Sequence, residues 1–415
     1  MLLIAYKIIS YLLYPFIPIY LNSRIKQKKE IKERINERYG KSSVARKNGE
    51  IVWIHAASIG ESLSILPVVN ELKKNNRIDQ ILVTTGTTSS ARILKNKLKD
   101  NASHQFIPLD IPIYIKRFLN YWTPSLVIFV ESEIWPNFIS EIKKRKIKLM
   151  ILNGRMTLDS FNNWSKFKKT SSKIFSSFDI CCTQNNDSSL FYKKLGIKNT
   201  TFTGNLKFCT QPEELEDTKI NELKKMLGNK KVLVAASTHE GEEEIIANLT
   251  YTLRKKHKDF ISIIVPRHPN RSKLFDNKHK LNISVRSKNQ EIKTDTNIYI
   301  ADTIGELNLF YKIADFVFIG GSLVNHGGQN PIEAAFLGKT IIHGPNIQNF
   351  SDVYEILQYM KMTFLVNNER QLQMYMEDNY SNPNNSSQKS SIKKIHSEGV
   401  QALQNAMHVI NQNLE

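Results

Sequence analysis

The chain has 415 residues, more than one hydrophobic core usually serves, so two domains of roughly equal size are expected. Its 41% hydrophobic and 9% aromatic content excludes a disordered chain. Three cysteines, Cys181, Cys182 and Cys209, form no CxxC pair and no Cys/His cluster, which argues against a disulfide framework or a zinc site and fits a reducing, cytosolic setting. The formal net charge of +19 points to anionic partners such as membrane surfaces, nucleic acid or phosphorylated substrates, although the abundance of Lys, Asn and Ile reads as a genome-wide bias that carries part of it.

Residues 1–21, MLLIAYKIISYLLYPFIPIYL, are apolar apart from Lys7 and show no small-residue cleavage site, which argues against a removed signal peptide. A span needs about 20 apolar residues, so this stretch barely suffices, and Pro15 and Pro18 interrupt its last turns. Ten Lys or Arg against three Glu follow between Arg24 and Lys47, a run that anionic headgroups attract and that holds the body on the cytoplasmic side. The expectation is an anchor that lies in the membrane interface or just spans it.

IVWIHAASIGES, residues 51–62, reads as a strand, a short turn and a helix opening at Glu61. Leu63, Leu66, Val69 and Leu72 recur at three-residue steps and predict the inward face, while Pro67 bends the helix near its first turn. Glu61 then stands at the carboxyl edge of a sheet, where open α/β folds bind ligands. On this stretch alone it is either a helix-capping acid or a general base beside a glycine.

Strands are expected at Ile51–His55, Ile81–Thr85, Leu126–Val130, Lys148–Asn153 and Phe178–Cys182, with TFTGNLKF (201–208) closing the first half. The polar stretch 210–230 is the expected linker. A second series follows at Val232–Ser237, Ile261–Pro266, Ile298–Ala301, Phe316–Gly320 and Thr340–His343. Two successive Rossmann-like α/β halves with parallel sheets result. SNPNNSSQKSS (381–391) reads as a polar low-complexity loop, and Leu403, Met407, Ile410 and Leu414 predict a closing helix.

VESEIWPN (130–137) ends a strand with Glu131 and Glu133, which alternation along an extended chain would place on one side. No His or further acid lies close by, so a structural or substrate-contacting acid is favoured over a metal pair. PRHPNR (266–271) places Arg267 and His268 at a strand end, suited to a phosphate or carboxylate or else a solvated basic loop. DTIGEL (302–307) is a strand–turn–helix junction in which Gly305 permits close backbone approach. FIGGSLVNHGGQNPIEAAFLGK (318–339) carries Gly320, Gly321 and Ser322 at a strand end, then Asn330 and Pro331 opening a helix whose N–H groups can cradle a phosphate. Glu333 in its first turn can accept from ribose hydroxyls. This is not GxGxxG and lies late in the second half, so a nucleotide-sugar site fits better than a dinucleotide site.

HAASIGES, ESEIWPN, LNGRM, GNLKF, PRHP, DTIGEL and GGSLVNHGGQNPIEAA, in this order over nearly the whole chain, resemble the Kdo (3-deoxy-D-manno-octulosonic acid) transferases. The resemblance implies a GT-B glycosyltransferase with an N-terminal membrane-anchoring segment, transferring Kdo from CMP-Kdo to a lipid A precursor (lipid IVA) in lipopolysaccharide biosynthesis at the cytoplasmic face of the cell inner membrane. It implies an anchor at 1–21, an acceptor-binding domain at 22–209, the linker and start of the second domain at 210–230, a CMP-Kdo-binding domain at 231–395 and the closing helix at 396–415. Glu61 matches the family's catalytic base, and Glu131 and Lys207 match residues that stabilise the transition state. Arg267 and His268, Ile304–Gly305–Glu306, and Asn330, Pro331, Ile332 and Glu333 match the CMP-binding segments, with Gly321 and Ser322 as further donor contacts. Gln329 stands where His is common and Ala335 where Pro is common.

No cofactor or metal is expected, because a CMP-sugar leaves a single phosphate and no Asp-x-Asp pair is evident. The expected partners are CMP-Kdo, the bilayer lipid acceptor and an anionic membrane surface, with no nucleic acid. Two alternatives fit part of the pattern. A GT-B transferase or epimerase using a UDP-sugar suits the Gly-rich segment and Glu333 equally. A basic nucleic-acid-binding protein explains the charge but not the glycine turns and carboxylates at successive strand ends.

Overall fold

The computed structural model describes residues 2–98, 101–209, 216–269, 271, 274–381 and 388–414. The chain forms two compact units, Met1–Thr210 with Ser397–Glu415, and Gln211–His396. Each holds a seven-stranded, all-parallel sheet.

In the first unit the strands are β1 (Ile51–His55), β2 (Gln80–Thr85), β3 (Ser103–Phe106), β4 (Leu126–Val130), β5 (Lys148–Gly154), β6 (Ile180–Thr183) and β7 (Thr200–Phe202), ordered β3-β2-β1-β4-β5-β6-β7. β1 pairs with β2 from Ile51↔Gln80 to His55↔Thr84, and with β4 from Val52↔Leu126 to His55↔Phe129. A strand covered on both faces reads as a nearly continuous apolar run, and β1, β2 and β4 are wholly buried, with His55, Gln80, Thr84 and Thr85 as their polar members. Alternate residues serve opposite faces. Ile51 and Trp53 join an aromatic layer with Phe118, Trp122, Phe129 and Phe138, whereas Val52 and Ile54 join an aliphatic layer with Val68, Val69, Leu72 and Leu94.

The helix after β1 breaks in two, Ile59–Ser64 and Leu66–Leu72, with Pro67 opening the second piece. That break shifts the buried face from the expected set to Ile65, Val68, Val69 and Leu72, leaving Leu63 and Leu66 half-buried.

The second unit repeats the plan with β8 (Lys231–Thr238), β9 (Phe260–Pro266), β10 (Ile283–Val285), β11 (Ile298–Ile300), β12 (Phe316–Ile319), β13 (Ile341–His343) and β14 (Thr363–Leu365), ordered β10-β11-β9-β8-β12-β13-β14. In both sheets the first strand of the unit sits beside its fourth or fifth, so the chain reverses its direction of progress between β1 and β4, and between β8 and β12. Such reversal points open a crevice beyond the carboxyl ends of the strands.

Four strands have no counterpart in the sequence reading or only a loose one: β3, β7, β10 and β14. β3 has four residues and the others three, and β3, β7, β10 and β14 all lie at or next to sheet edges, where an apolar run is not required. The stretch read as a linker contains the helix Asp217–Leu227, which buries Ile220, Leu223 and Leu227; residues 210–215 lie outside the described residues. The low-complexity stretch also lies outside them at 382–387. The last helix begins at Gln388, earlier than expected, and runs to Asn413, with Ala402, Ala406 and Ile410 in the aliphatic layer of the first unit.

The N-terminus forms the helix Leu2–Leu13, a tight turn Tyr14–Phe16 at Pro15, and the helix Ile17–Lys26. Together these 25 residues are long and apolar enough to cross a membrane. One flank is latched to the first unit: Tyr6 Oη donates to Asp110 (2.9 Å), and Asn137 Nδ2 donates to Ser10 Oγ (3.0 Å). Leu2, Ile4, Ile8, Ile9, Leu12 and Leu13 stay exposed. The basic run behind it is partly structural. Arg24 and Arg38 both reach Glu30, Arg34 pairs with Glu37, and buried Arg38 also donates to the carbonyls of Gly86 and Ile107. Lys26, Lys28, Lys29, Lys32, Lys41 and Lys47 are its exposed cations.

Candidate active site

Glu61 lies just past the end of β1, at the first reversal point. Ser58 caps the helix Ile59–Ser64: its Oγ accepts from Glu61 N (3.3 Å), and the Glu61 carboxylate accepts from Ser58 Oγ (2.6 Å) and from Ala57 N (2.8 Å). This reciprocal arrangement is a capping box, so Glu61 does serve the helix terminus. Capping does not exhaust it. Burial, followed by the charges of Glu131 and Glu133, pushes its carboxyl up to about 7 against the lowering pull of Ser58 and Ala57. A carboxyl so tuned exchanges its proton near neutrality, as a general base requires.

Glu131 is the first residue after β4, across the reversal point from β1. Its φ of 57° is left-handed, so the strand turns away there and the expected alternation with Glu133 is lost. The two carboxylates go to different partners. Glu131 pairs with Lys207 Nζ at 2.7 Å. Glu133 accepts from Trp135 Nε1 (2.7 Å) and stands 3.5 Å from His55 Nε2. Burial alone would raise Glu133, but His55 and Trp135 outweigh it and hold the group below its ordinary value.

Lys207 sits on the short turn Leu206–Cys209, against which the Glu61 helix packs. That turn is fixed by Asn153, whose Oδ1 accepts from Leu206 N (3.0 Å) and whose φ of 55° marks an irregularity just before the end of β5. Tyr192, wholly buried, donates its hydroxyl to the carbonyls of Glu131 (3.1 Å) and Arg155 (3.0 Å). The ends of β1, β4 and β5 and the turn beyond β7 thus bring Glu61, Glu131 and Lys207 to one edge: a proton acceptor near neutrality beside an anion–cation pair.

In the second unit the reversal point lies between β8 and β12. Arg267 and His268 follow β9 and are exposed. His268 stands edge-on to His239 (6.0 Å between rings), and His239 stacks on His326 (4.1 Å) and meets Gln329 Nε2 at 3.1 Å. Partial burial, then His326, His268, Arg267 and Arg271, push the His239 imidazole down to about 4, so it is neutral at physiological pH. The cluster offers hydrogen-bond donors and the positive charge of Arg267 to an anion.

Gly321 and Ser322 are placed differently from the open phosphate cradle their glycine-rich setting invites. Buried Glu242 accepts from the N–H groups of Gly321 (2.7 Å), Ser322 (3.0 Å), Leu323 (3.0 Å) and His239 (3.0 Å), so that loop is clamped by a carboxylate of the protein itself. Gly320 is needed there: a Cβ would lie 2.6 Å from the Ser237 carbonyl oxygen. Asn330 and Pro331 precede a helix of five residues, Ile332–Phe336, and Asn330 Oδ1 takes the Ile332 N–H at 3.1 Å. Glu333, half-buried, follows in its first turn. In the turn 304–306, Ile304 is 88% exposed and Gly305 adopts φ 89° with open space around it, whereas the Glu306 carboxylate is forked by Arg286 (2.6 and 2.5 Å). Ile304 and Gly305 are therefore open to a ligand and Glu306 holds the turn.

The sequence motifs assign no role to His239, Glu242, Arg286, Asn153 or Tyr192, although Asn153 lies within LNGRM (152–156). STHEGEE (237–243) is itself a strand–turn–helix junction, and that was the available signal for the first two. Among the described residues no group of three His, Cys, Asp or Glu side chains could hold a metal ion.

Residues 33–210 match the family model of 3-deoxy-D-manno-octulosonic-acid transferase (kdotransferase). A 3-deoxy-D-manno-octulosonic acid transferase of Rickettsia bellii is 36% identical over 393 residues, covering 90% of this chain and 93% of the relative. The chain belongs to the Kdo transferases. The enzyme of the same description from Haemophilus influenzae is 33% identical, covering 81% of this chain and 80% of its own. As a member of this family the protein is a glycosyltransferase. Its architecture is GT-B: a glycosyltransferase structure from Rickettsia africae aligns with a TM-score of 0.59 at 15% identity, over 89% of this chain and the whole of the other.

Proposed function

We propose that this Kdo transferase moves Kdo from CMP-Kdo to a sugar hydroxyl of a lipid A precursor (lipid IVA) with inversion, using Glu61 as general base, at the cytoplasmic face of the inner membrane in lipopolysaccharide biosynthesis. The environment of Glu61 carries the reading: a buried carboxyl brought to about 7 at a sheet reversal point, oriented by Ala57 and Ser58. A sugar hydroxyl is a poor nucleophile until a base takes its proton as the new bond forms. The new bond runs from the acceptor oxygen to the anomeric carbon; the bond to the phosphate oxygen breaks, and CMP leaves with that electron pair.

Positive charge at the anomeric carbon is stabilised by Glu131, with Lys207 fixing its carboxylate and offering charge to the leaving group. In the second unit, Arg267 and His268 take the phosphate, the open Ile304–Gly305 turn with Glu306 takes the cytidine side, and Asn330, Pro331, Ile332 and Glu333 take the ribose. Gly321 and Ser322 act through the shape of their clamped loop. The monophosphate leaving group lets these cations replace a divalent metal, so transfer proceeds without one.

Single-turnover product formation with CMP-Kdo and a tetraacylated lipid A precursor tests this, comparing the wild type with Glu61→Gln. Kdo-lipid from the wild type and none from a folded variant that still binds CMP supports the reading and counts the sugars added. If the wild type binds CMP yet makes no product, the acceptor is wrong; if Glu61→Gln stays active, the base is another group.

A further inference from the structure

Where the N-terminal segment meets the first unit, a cavity of about 260 Å³ opens to solvent. It is lined by three tyrosines, Tyr14, Tyr39 and Tyr114, by Pro15 and Pro18, and by two cations, Lys41 and Arg117. Tyr114 holds the aromatic wall together, tilted against Tyr14 (5.5 Å) and edge-on to Tyr39 (5.4 Å). Gly40, with φ 74°, makes this possible: a Cβ there would lie 2.2 Å from the Tyr114 carbonyl oxygen, so only glycine lets the Tyr39–Lys41 segment lie against that backbone. Arg117, which lines the cavity, donates Nη1 to the Tyr39 carbonyl (2.7 Å), and that bond ties its guanidinium to the Tyr39–Lys41 segment.

Two cations and no carboxylate line the cavity. Burial, then Tyr14 and Tyr39, push the Tyr114 hydroxyl up to about 12, so it remains a neutral donor. Leu13, Phe16 and Ile19, chain neighbours of the lining residues Tyr14, Pro15 and Pro18, are exposed. Charge, hydroxyl donors and an adjoining apolar strip match an anion that continues into hydrocarbon.

We infer that this cavity binds the phosphate of one anionic glycerophospholipid of the bilayer, gripped by Lys41 and Arg117 with its glycerol against the tyrosines and its acyl chains along the exposed face of the anchor. The inference rests on the membrane-seated reading of that segment, and it goes beyond diffuse attraction by the basic run. It makes lipid identity, and not surface charge alone, a determinant of how the enzyme is seated.

The test is sedimentation of the full chain with vesicles of phosphatidylcholine, alone or mixed with phosphatidylglycerol. Lys41→Gln/Arg117→Gln is compared with Lys26→Gln/Lys29→Gln, which removes the same charge from exposed sites elsewhere in the run. Diffuse attraction treats the two pairs alike, whereas a built site costs the cavity pair about tenfold more of its phosphatidylglycerol preference. Lys41→Gln alone, at an exposed side chain, reproduces part of that loss and excludes a folding defect as its source. Equal losses in the two pairs overturn the site. Wild-type binding to both vesicles without preference overturns the site and leaves the anchor standing; binding to neither overturns both. If the cavity pair instead raises KM for the lipid acceptor in neutral detergent, the occupant is the acceptor's phosphate and the bilayer-lipid assignment fails.

Discussion

Glu61 caps its helix, and the proposed mechanism gives the same carboxylate the role of base. The hydrogen bonds from Ala57 and Ser58 that cap the helix are those that aim its carboxylate, and burial keeps the proton affinity high. For Glu61→Gln the expected loss of transfer is about 10²–10⁴-fold, the usual worth of a positioned base, read in single-turnover assays. Because only the ionised form accepts a proton, kcat/KM should rise with pH through about 7. Removing the Glu131 charge eases ionisation of its neighbour, so residual activity of Glu131→Gln should show this limb at lower pH.

The same group has a stability signature. Its folded value, about 7, lies above the ordinary 4.5, so the stability it contributes is complete below about 4.5 and is lost as pH rises through about 7. Thermal melts should therefore show Glu61→Gln losing less Tm than the wild type between about pH 5 and 8. The position of Glu61 was legible from an apolar run, a turn and a helical pattern. Its tuning was not, because it rests first on burial by the folded unit and then on Glu131 and Glu133, which follow β4 some seventy residues away in sequence.

Strand positions were legible wherever a strand is buried on both faces: β1 and β4 carry the expected limits, and β2, β5, β8 and β9 differ by a residue or so. Edge strands such as β10 and β14 lack that constraint and carry no comparable signal. The supporting residues were hidden for a different reason: they act through backbone groups brought near by the fold. Asn153 reads as a strand end, yet it fixes the turn that carries Lys207. Asn153→Ala leaves a buried Leu206 N–H without its acceptor and an alanine in left-handed backbone, and should cost about 2 kcal/mol in denaturant unfolding of the first unit.

Glu242→Gln turns an amide donor toward a nest of N–H donors, so CMP affinity measured by calorimetry should fall about tenfold while the first unit keeps its melting behaviour. Gly399 in the last helix is equally constrained. A Cβ there would sit 2.1 Å from the Phe208 carbonyl oxygen, and Gly399→Ala should lower stability by about 3 kcal/mol by lifting that helix from the aliphatic layer.

For the whole molecule, the net charge of +19 divides into parts with different work. Arg24, Arg34 and Arg38 are spent on Glu30, Glu37 and backbone carbonyls, leaving exposed lysines as the attractive surface. The monophosphate leaving group and the cations of the candidate site predict that transfer is unchanged by chelator. Loss of activity in chelator with recovery on adding magnesium would contradict that.

The latch formed by Tyr6 with Asp110 and by Ser10 with Asn137 has a consequence of its own. A flexible tether confines an enzyme to a surface but leaves it free to tumble and to reach at many heights. A segment bolted to the body by polar contacts behaves instead as a keel: it sets draught and heel. Glu61 belongs to the same unit as those contacts, so on the proposed membrane seating its elevation above the acyl chains is written into the fold, and the proposed target hydroxyl would be selected by how far it stands above the waterline.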